Sequence, residues 1–279
     1  MKKFTGVITA LITPFYKGEV DFESLENLVK QQLRGGVNGF VINGTTAESP
    51  TVSSSERKKI FDFVKKHVPA SFPLIMGTGS NSTAKTIEDS REAEKLGADA
   101  ILVVVPYYNK PPQRGLFEHF KAVASAVSIP TILYNVPSRT VTSLEIETIR
   151  KLSEHPQIIG IKEASGKIDF AKQIRSQCGE SFILLSGDDG TYDQFMAAGG
   201  DGVISVCSHL IPDVMVQKKA SENLDIIEFL FVEGNPIPLK MALHQMGIIR
   251  SPELRLPLVE LGEENAAKMK SLLQKKGLL

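Results

Sequence analysis

Residues 97–105 read Gly97-Ala98-Asp99-Ala100-Ile101-Leu102-Val103-Val104-Val105. Gly97 follows a helical pattern and is placed to close that helix, and an apolar, β-branched run begins within three residues of it. The same order of Gly, any residue, Asn or Asp, then Gly or Ala and an apolar strand recurs at Gly36-Val37-Asn38-Gly39-Phe40 and at Gly199-Gly200-Asp201-Gly202-Val203. Three copies of one helix-to-strand turn point to a repeating architecture. Working outward, further apolar runs begin at Gly6, Pro73, Thr131, Ile158 and Phe182, which brings the number of strand candidates to eight. Most are near-continuous rather than alternating, as expected of parallel strands covered by helices on one side and by a barrel core on the other. Helical patterns lie between them. Residues 21–34 put Phe22, Leu25, Leu28, Val29 and Leu33 on one face before Gly35 and Gly36, and Ser53 with Glu56 makes a capping box ahead of Ile60, Phe61 and Val64. The pattern predicts an α/β chain folded as a (β/α)8 TIM barrel. Residues 1–212 form the catalytic barrel in this reading, and residues 213–279 hold the last barrel helix and an appended C-terminal helical segment.

Composition narrows the function classes. With 279 residues, 42% of them hydrophobic, the chain can bury one large core. Lys plus Arg is 32 and Asp plus Glu is 32, so no net field favours nucleic acid or an anionic membrane. Cys178 and Cys207 have no metal-ligand spacing and make no disulfide framework. The N-terminal stretch MKKFTGVITALITPF carries Lys2 and Lys3, but Thr9 and Thr13 interrupt its apolar residues and it reads as a strand rather than a leader. A soluble, cytoplasmic protein is expected.

In such a barrel the chemistry sits at the C-terminal ends of the strands. Lys162 closes the run Ile158-Ile159-Gly160-Ile161 and shares strand parity with Gly160, so it should point inward. An amine held in an apolar barrel mouth loses hydration of its charged form, which favours the neutral nucleophile and Schiff-base chemistry. The competing reading is a structural lysine paired with Glu163 or Asp188 or reaching solvent. Tyr134 has the parity of Ile132 and enters the barrel on the neighbouring strand. It can shuttle a proton if hydroxyls from Thr45, Thr46 or Tyr108 relay it, or it can be a core tyrosine. Arg139, on the loop just beyond, suits a bidentate grip on a substrate carboxylate. The Gly44-Thr45-Thr46 turn offers backbone donors and two hydroxyls to a small carboxylate. The histidines His67, His119, His155, His209 and His244 never pair at metal-ligand spacing. Asp188 and Asp189 after the seventh strand would repel a phosphate.

Taken together, the motifs GTTAES, GTGSNST, PYYNKP, YNVPSRT, GIKEAS, SGDD, GVISV and FVEGNPIPLK, in this order, resemble the dihydrodipicolinate synthase family of the pyruvate-dependent class I aldolase, or N-acetylneuraminate lyase, superfamily. The resemblance runs essentially end to end. It implies that Lys162 forms an imine with pyruvate, that Tyr134, Thr45 and Tyr108 form a proton relay, and that Tyr108 serves a neighbouring subunit's site. Thr46 would hold the pyruvate carboxylate, Gly187 and Ile204 would line the pocket, and Arg139 would bind L-aspartate 4-semialdehyde. The product would be 4-hydroxy-tetrahydrodipicolinate, which commits carbon to diaminopimelate and lysine. No metal or organic cofactor is implied, and the expected assembly is a homo-oligomer, a dimer or a dimer of dimers. Alternatives in other classes are a 2-keto-3-deoxy sugar acid or N-acetylneuraminate lyase activity and a catalytically silent metabolite-binding barrel. Arg139 argues for a carboxylated aldehyde, and the intact set argues against silence.

Two departures from the family follow. Between GVISV and FVEGNPIP its members carry a longer helical hairpin, whereas Pro212–Leu230 here allows one long helix or two very short ones. Lysine-sensitive members bind that amino acid at positions that here read Ser49, Pro50, Ser54, Arg57, Asn81, Lys85 and Tyr107. Lys85 replaces a glutamate and Arg57 a histidine, so a cation would face the ligand's ammonium group, which predicts insensitivity to L-lysine.

Overall fold

The computed structural model describes residues 4–279, so Lys2 and Lys3, read above with the N-terminal strand, lie outside the described residues. Eight parallel strands close into a barrel: β1 (Gly6–Ala10), β2 (Gly39–Ile42), β3 (Leu74–Gly77), β4 (Ala100–Val104), β5 (Thr131–Asn135), β6 (Ile158–Glu163), β7 (Ile183–Ser186) and β8 (Gly202–Ser205). Each pairs with the next in sequence, and β1 pairs with both β2 and β8 to complete the ring. Helices α1 (Phe22–Arg34), α2 (Ser54–His67), α3 (Thr83–Leu96), α4 (Gln113–Ser125), α5 (Ile146–Ser153), α6 (Ile168–Cys178) and α7 (Tyr192–Ala197) separate the strands. A small antiparallel hairpin, Phe15–Tyr16 with Glu19–Val20, follows β1 and had no counterpart in the sequence reading.

The repeated helix-to-strand turn has one physical job in all three copies. Gly36, Gly97 and Gly199 have φ of 79°, 81° and 93°, the left-handed region open to glycine at no steric cost. The Asn or Asp two residues later accepts a backbone N–H at the start of a neighbouring strand. Asn38 takes that of Val7, Asp99 that of Leu74 and Asp201 that of Leu184, at 2.9, 2.9 and 2.8 Å. The motif therefore stops a helix and sets the height of an adjacent strand within a few residues. The capping box is also present, with Ser53 accepting from the Glu56 N–H and Glu56 accepting from the Ser53 N–H, an arrangement worth about 1 kcal/mol.

Two apolar layers result. Between strands and helices lie Leu25, Leu28, Phe61, Ile101, Phe120, Leu133 and Ile161, and inside the barrel lie Ile8, Val41, Ile75, Leu102, Ile132, Tyr134, Leu185 and Ile204. Strand β6 contains an irregularity that the continuous run concealed. Thr131 pairs with Ile158 but Ile132 pairs with Gly160, so Ile159 is an extra residue, and the bulge re-aims the strand before its functional end. After β8 come α8 (Pro212–Val216), a 3-10 turn at Ala220–Asn223, α9 (Leu224–Phe229), α10 (Ile237–Gln245) and α11 (Glu263–Lys275). The segment after β8 thus takes the form of two very short helices. Among the described residues no helix is long and apolar enough to cross a membrane.

Candidate active site

A cavity of about 620 Å³ opens at the C-terminal ends of the strands. Its wall includes Thr45, Thr46, Tyr134, Arg139, Lys162 and Gly187, residues drawn from the ends of four different strands. Lys162 is 7% exposed and lies across β5–β6 from Tyr134 in strict register. Its Nζ sits 4.2 Å from the centre of the Tyr134 ring. Neither proposed ion-pair partner takes it. Glu163 points to the other side of β6, where Oε2 accepts from Asn135 Nδ2 at 2.7 Å and Oε1 from the Ser165 N–H at 2.6 Å. Burial pushes the Glu163 carboxyl upward, against those two hydrogen bonds. Asp188 accepts from the Gly190 N–H and the Thr191 hydroxyl. Among the described residues, Lys162 makes neither an ion pair nor a hydrogen bond through its amine, although Asp188 and Glu233 line the same cavity.

Gly187 explains how the amine is seated. A Cβ at that position would lie 2.7 Å from Lys162 Cε and 2.6 Å from Ala164 Cβ. Only the absence of a side chain at the end of β7 leaves room for the lysine stem. Ile204 lies deeper, 1% exposed in the interior layer, and the strand contributes Val206 to the cavity wall instead. Asp189, read from sequence as a phosphate-repelling group, is buried and holds the end of β8: Oδ2 accepts the N–H groups of Val206 and Cys207, both at 2.8 Å.

The threonine turn is a pair of consecutive 3-10 turns, Thr45–Ala47 and Ser49–Thr51, hinged at Glu48 with φ 55° and ψ 40°. Thr46 Oγ1 accepts from Asn235 Nδ2 at 3.0 Å, which leaves the threonine proton free to be donated into the cavity. Ser49, implied above as part of a regulatory site, is on the cavity wall. Arg139 stands at the rim on the helical turn Pro137–Thr140, exposed and with no ion pair among the described residues. Tyr108 is not brought to the cavity of its own chain. It is 88% exposed with φ 74°, beside Tyr107, which is also exposed. Of the remaining regulatory positions, Arg57 and Lys85 belong to one ion cluster. Arg57 Nη2 and Lys85 Nζ both reach Asp89 Oδ1, at 2.9 and 2.8 Å, and Arg57 also reaches Glu92 at 2.6 Å. Asn81 accepts through its backbone carbonyl from Asn109 Nδ2.

Sequence reasoning passed over one constellation. Glu48 and Lys240 are each fully buried, and Lys240 Nζ lies 2.5 Å from Glu48 Oε1. Burial pulls the Lys240 amine down to about 8 despite that carboxylate. The signal available was polar residues inside an apolar helix pattern, Pro238-Leu239-Lys240-Met241-Ala242, following a Gly-Asn-Pro turn.

A profile of the Dihydrodipicolinate synthetase family matches residues 3–276. The chain is 60% identical to a 4-hydroxy-tetrahydrodipicolinate synthase of Bdellovibrio bacteriovorus, with 100% of both chains covered. That alignment runs over 293 positions against the 279 residues here, so at least 14 of its positions have no counterpart in this chain. Among solved structures, a dihydrodipicolinate synthase from Thermotoga maritima superposes with a TM-score of 0.94 at 41% identity, covering 99% of each chain. One from Acinetobacter baumannii, chloride inhibited and complexed with pyruvate, superposes with a TM-score of 0.95 at 39% identity, covering 99% of this chain and 100% of that one. By the match of nearly its whole length to this profile and to these relatives, the chain belongs to the dihydrodipicolinate synthetase family.

Proposed function

We propose that this enzyme, a lyase, condenses pyruvate with L-aspartate 4-semialdehyde to 4-hydroxy-tetrahydrodipicolinate through an imine on Lys162. The observation that carries the mechanism is a buried lysine with no ion-pair partner among the described residues, on the wall of a cavity and one strand from a tyrosine in register with it. The neutral amine attacks the ketone carbon of pyruvate and water leaves, forming the imine. Loss of a methyl proton gives the enamine, whose carbon attacks the aldehyde of the second substrate. The substrate's own amine then displaces Lys162 as the ring closes. The imine is the electron sink, so the reading needs no metal or organic cofactor.

Tyr134 moves the protons, with Thr45 on the same cavity wall as the next member of the relay. The relay requires a third hydroxyl, and we assign it to Tyr108 of a second copy of the chain, because Tyr108 projects away from its own cavity on a left-handed backbone. The active unit is therefore at least a dimer, and a dimer of dimers is the fuller reading. Thr46 and the N–H groups of its turn hold the pyruvate carboxylate, and Arg139 grips the carboxylate of the aldehyde from the rim. Residues 1–212 carry these groups, and residues 213–279 contribute Asn235, which donates to Thr46 on the cavity wall.

Borohydride reduction in the presence of pyruvate tests the chemistry. One adduct per chain is expected on Lys162 by peptide mass mapping, with none in Lys162→Ala. An adduct on another lysine, or a folded enzyme that traps nothing, overturns the mechanism.

A further inference from the structure

The turn that carries Thr45, Thr46 and Ser49 is held from behind at two points by one short stretch of chain. Asn235 donates to Thr46 Oγ1, and five residues later Lys240, on α10, meets Glu48. Glu48 is the hinge between the two 3-10 turns and has a left-handed backbone, which is strained for a residue with a Cβ. Its carboxylate is fixed at both oxygens, Oε1 by Lys240 and Oε2 by the Arg255 N–H at 2.9 Å. Lys240 is in turn fixed by the Glu253 carbonyl at 2.9 Å and by the Phe15 ring, 4.1 Å away. The Arg255 guanidinium ties the second turn down, donating to the Thr51 carbonyl at 2.9 Å and pairing with Glu56. Two ions buried this completely return little net stability, because desolvation consumes most of their attraction and an apolar pair of the same shape often serves as well. What an apolar pair could not do is fix a carboxylate, and with it a strained hinge, in a single position.

We propose that Lys240 is a positioning residue for the carboxylate of the keto acid: acting through Glu48, it locks the hinge so that Thr45, Thr46 and Ser49 face the cavity in one arrangement. This rests on the reading that the threonine turn binds the pyruvate carboxylate. Lys240 touches neither substrate nor Lys162, so its effect should fall on the affinity for pyruvate and spare the second substrate.

The test uses the double variant Lys240→Met with Glu48→Met, which leaves no orphaned charge, together with Lys240→Arg and Glu48→Gln. Circular dichroism and melting establish folding, and the fraction of chains trapped by borohydride is followed against pyruvate concentration. The folded double variant should need about tenfold more pyruvate for half-maximal trapping on Lys162, with a matching rise in KM for pyruvate. KM for aspartate semialdehyde should stay within about twofold, and Lys240→Arg should recover part of the loss. If the double variant does not fold, Glu48→Gln, which keeps the side chain's size and loses its charge, must show the same selective loss. A folded variant that traps at the wild-type pyruvate concentration reduces the pair to packing and overturns the proposal. Failure of the wild-type enzyme itself to trap pyruvate on Lys162 overturns the site reading and this proposal with it, so the two failures are distinguishable.

Discussion

Two lysines are buried among the described residues, and each lies about the same distance from an aromatic ring: Lys162 is 4.2 Å from the centre of Tyr134 and Lys240 is 4.1 Å from that of Phe15. Their other neighbours differ. Lys240 has a carboxylate at 2.5 Å and a carbonyl at 2.9 Å and is sealed from solvent. Lys162 has no such partner and borders a cavity of about 620 Å³. A ring face stabilises a cation in both places, so it cannot be what separates a reactive amine from a structural one. The separation comes from the missing ion-pair partner and from access. The Lys240 amine is enclosed by its carboxylate and carbonyl and no substrate can reach it, whereas the Lys162 amine borders a cavity where a carbonyl carbon can approach it.

The comparison breaks most sharply at the ring itself. Tyr134→Phe leaves Lys162 the same kind of ring that Lys240 already has at Phe15 and removes only the hydroxyl. Turnover should fall by about 10² to 10⁴, the range for a lost proton-transfer group, while the fold and the site of trapping on Lys162 persist. Near-normal turnover would mean that the ring was all that mattered and would remove Tyr134 from proton transfer.

Buried bases without a counter-charge should also betray themselves in the pH dependence of stability, and His209 is the clean case. Its Nε2 accepts the Ile12 N–H at 3.2 Å, and its Nδ1 lies 2.8 Å from the Val206 carbonyl. Burial lowers it to about 4 from 6.5, against the opposing pull of the Val206 carbonyl. The unfolded chain binds the proton first, so stability from this group is intact above pH 6.5 and is lost as pH falls toward 4. The loss is on the order of 3 kcal/mol at most. His119, also lowered to about 4 by burial, adds a second share. Urea midpoints measured from pH 7 to pH 4.5 should fall, with a shallower slope in His209→Gln. An unchanged slope in that variant would show that His209 carries no such penalty.

How much of this was legible beforehand follows from what periodicity can encode. The eight strands, the barrel and the inward lysine and tyrosine depend on local patterns and on parity, and these are written along the chain. The Ile159 bulge was hidden because an extra apolar residue in an apolar run changes no pattern, yet it sets which way β6 faces at its end. The Glu48–Lys240 pair was hidden because its partners are 192 positions apart and each alone looks like a surface charge. Ile204 is 1% exposed in the interior layer, and strand parity, which sends it inward, does not report depth along the barrel axis. Tyr108 is 88% exposed and lies off the cavity of its own chain, and the role proposed for it in a second copy is one that no single-chain pattern contains.

At the cavity rim the contrast can be tested with a cation that is exposed rather than buried. Arg139 makes no ion pair among the described residues, and its charge is available to a substrate carboxylate. Arg139→Ala should cost about 1.5–3 kcal/mol, the value of a charge-assisted hydrogen bond, in kcat/KM for aspartate semialdehyde. Half-maximal trapping of pyruvate should not move. Equal loss in both would assign the residue to holding the loop.

The smallest expected effect is none at all, and it concerns a third lysine whose surroundings the sequence reading misjudged. Lys85 was expected to repel the ammonium group of L-lysine as a free cation. The structure gives it two carboxylates, Asp89 at 2.8 Å and Glu88 at 3.2 Å, and Arg57 shares the same Asp89 oxygen. The full repulsion of about 4 kcal/mol for bare charges about 4 Å apart at an effective dielectric of 20 therefore does not apply. What replaces it is competition. An arriving ammonium group finds Asp89 occupied by two cations of this chain, and displacing either only exchanges one ammonium or guanidinium contact for another. Without a net charge gain, the remaining contacts through Asn81 and Tyr107 must supply the affinity alone. Titrating L-lysine into the steady-state assay should leave the rate unchanged through about 1 mM, which corresponds to about −4 kcal/mol of binding free energy. Half-inhibition below that concentration would mean that the ligand displaces Lys85 from Asp89 at little cost, and that a paired surface lysine is far less committed to its carboxylate than the buried Lys240 is to Glu48.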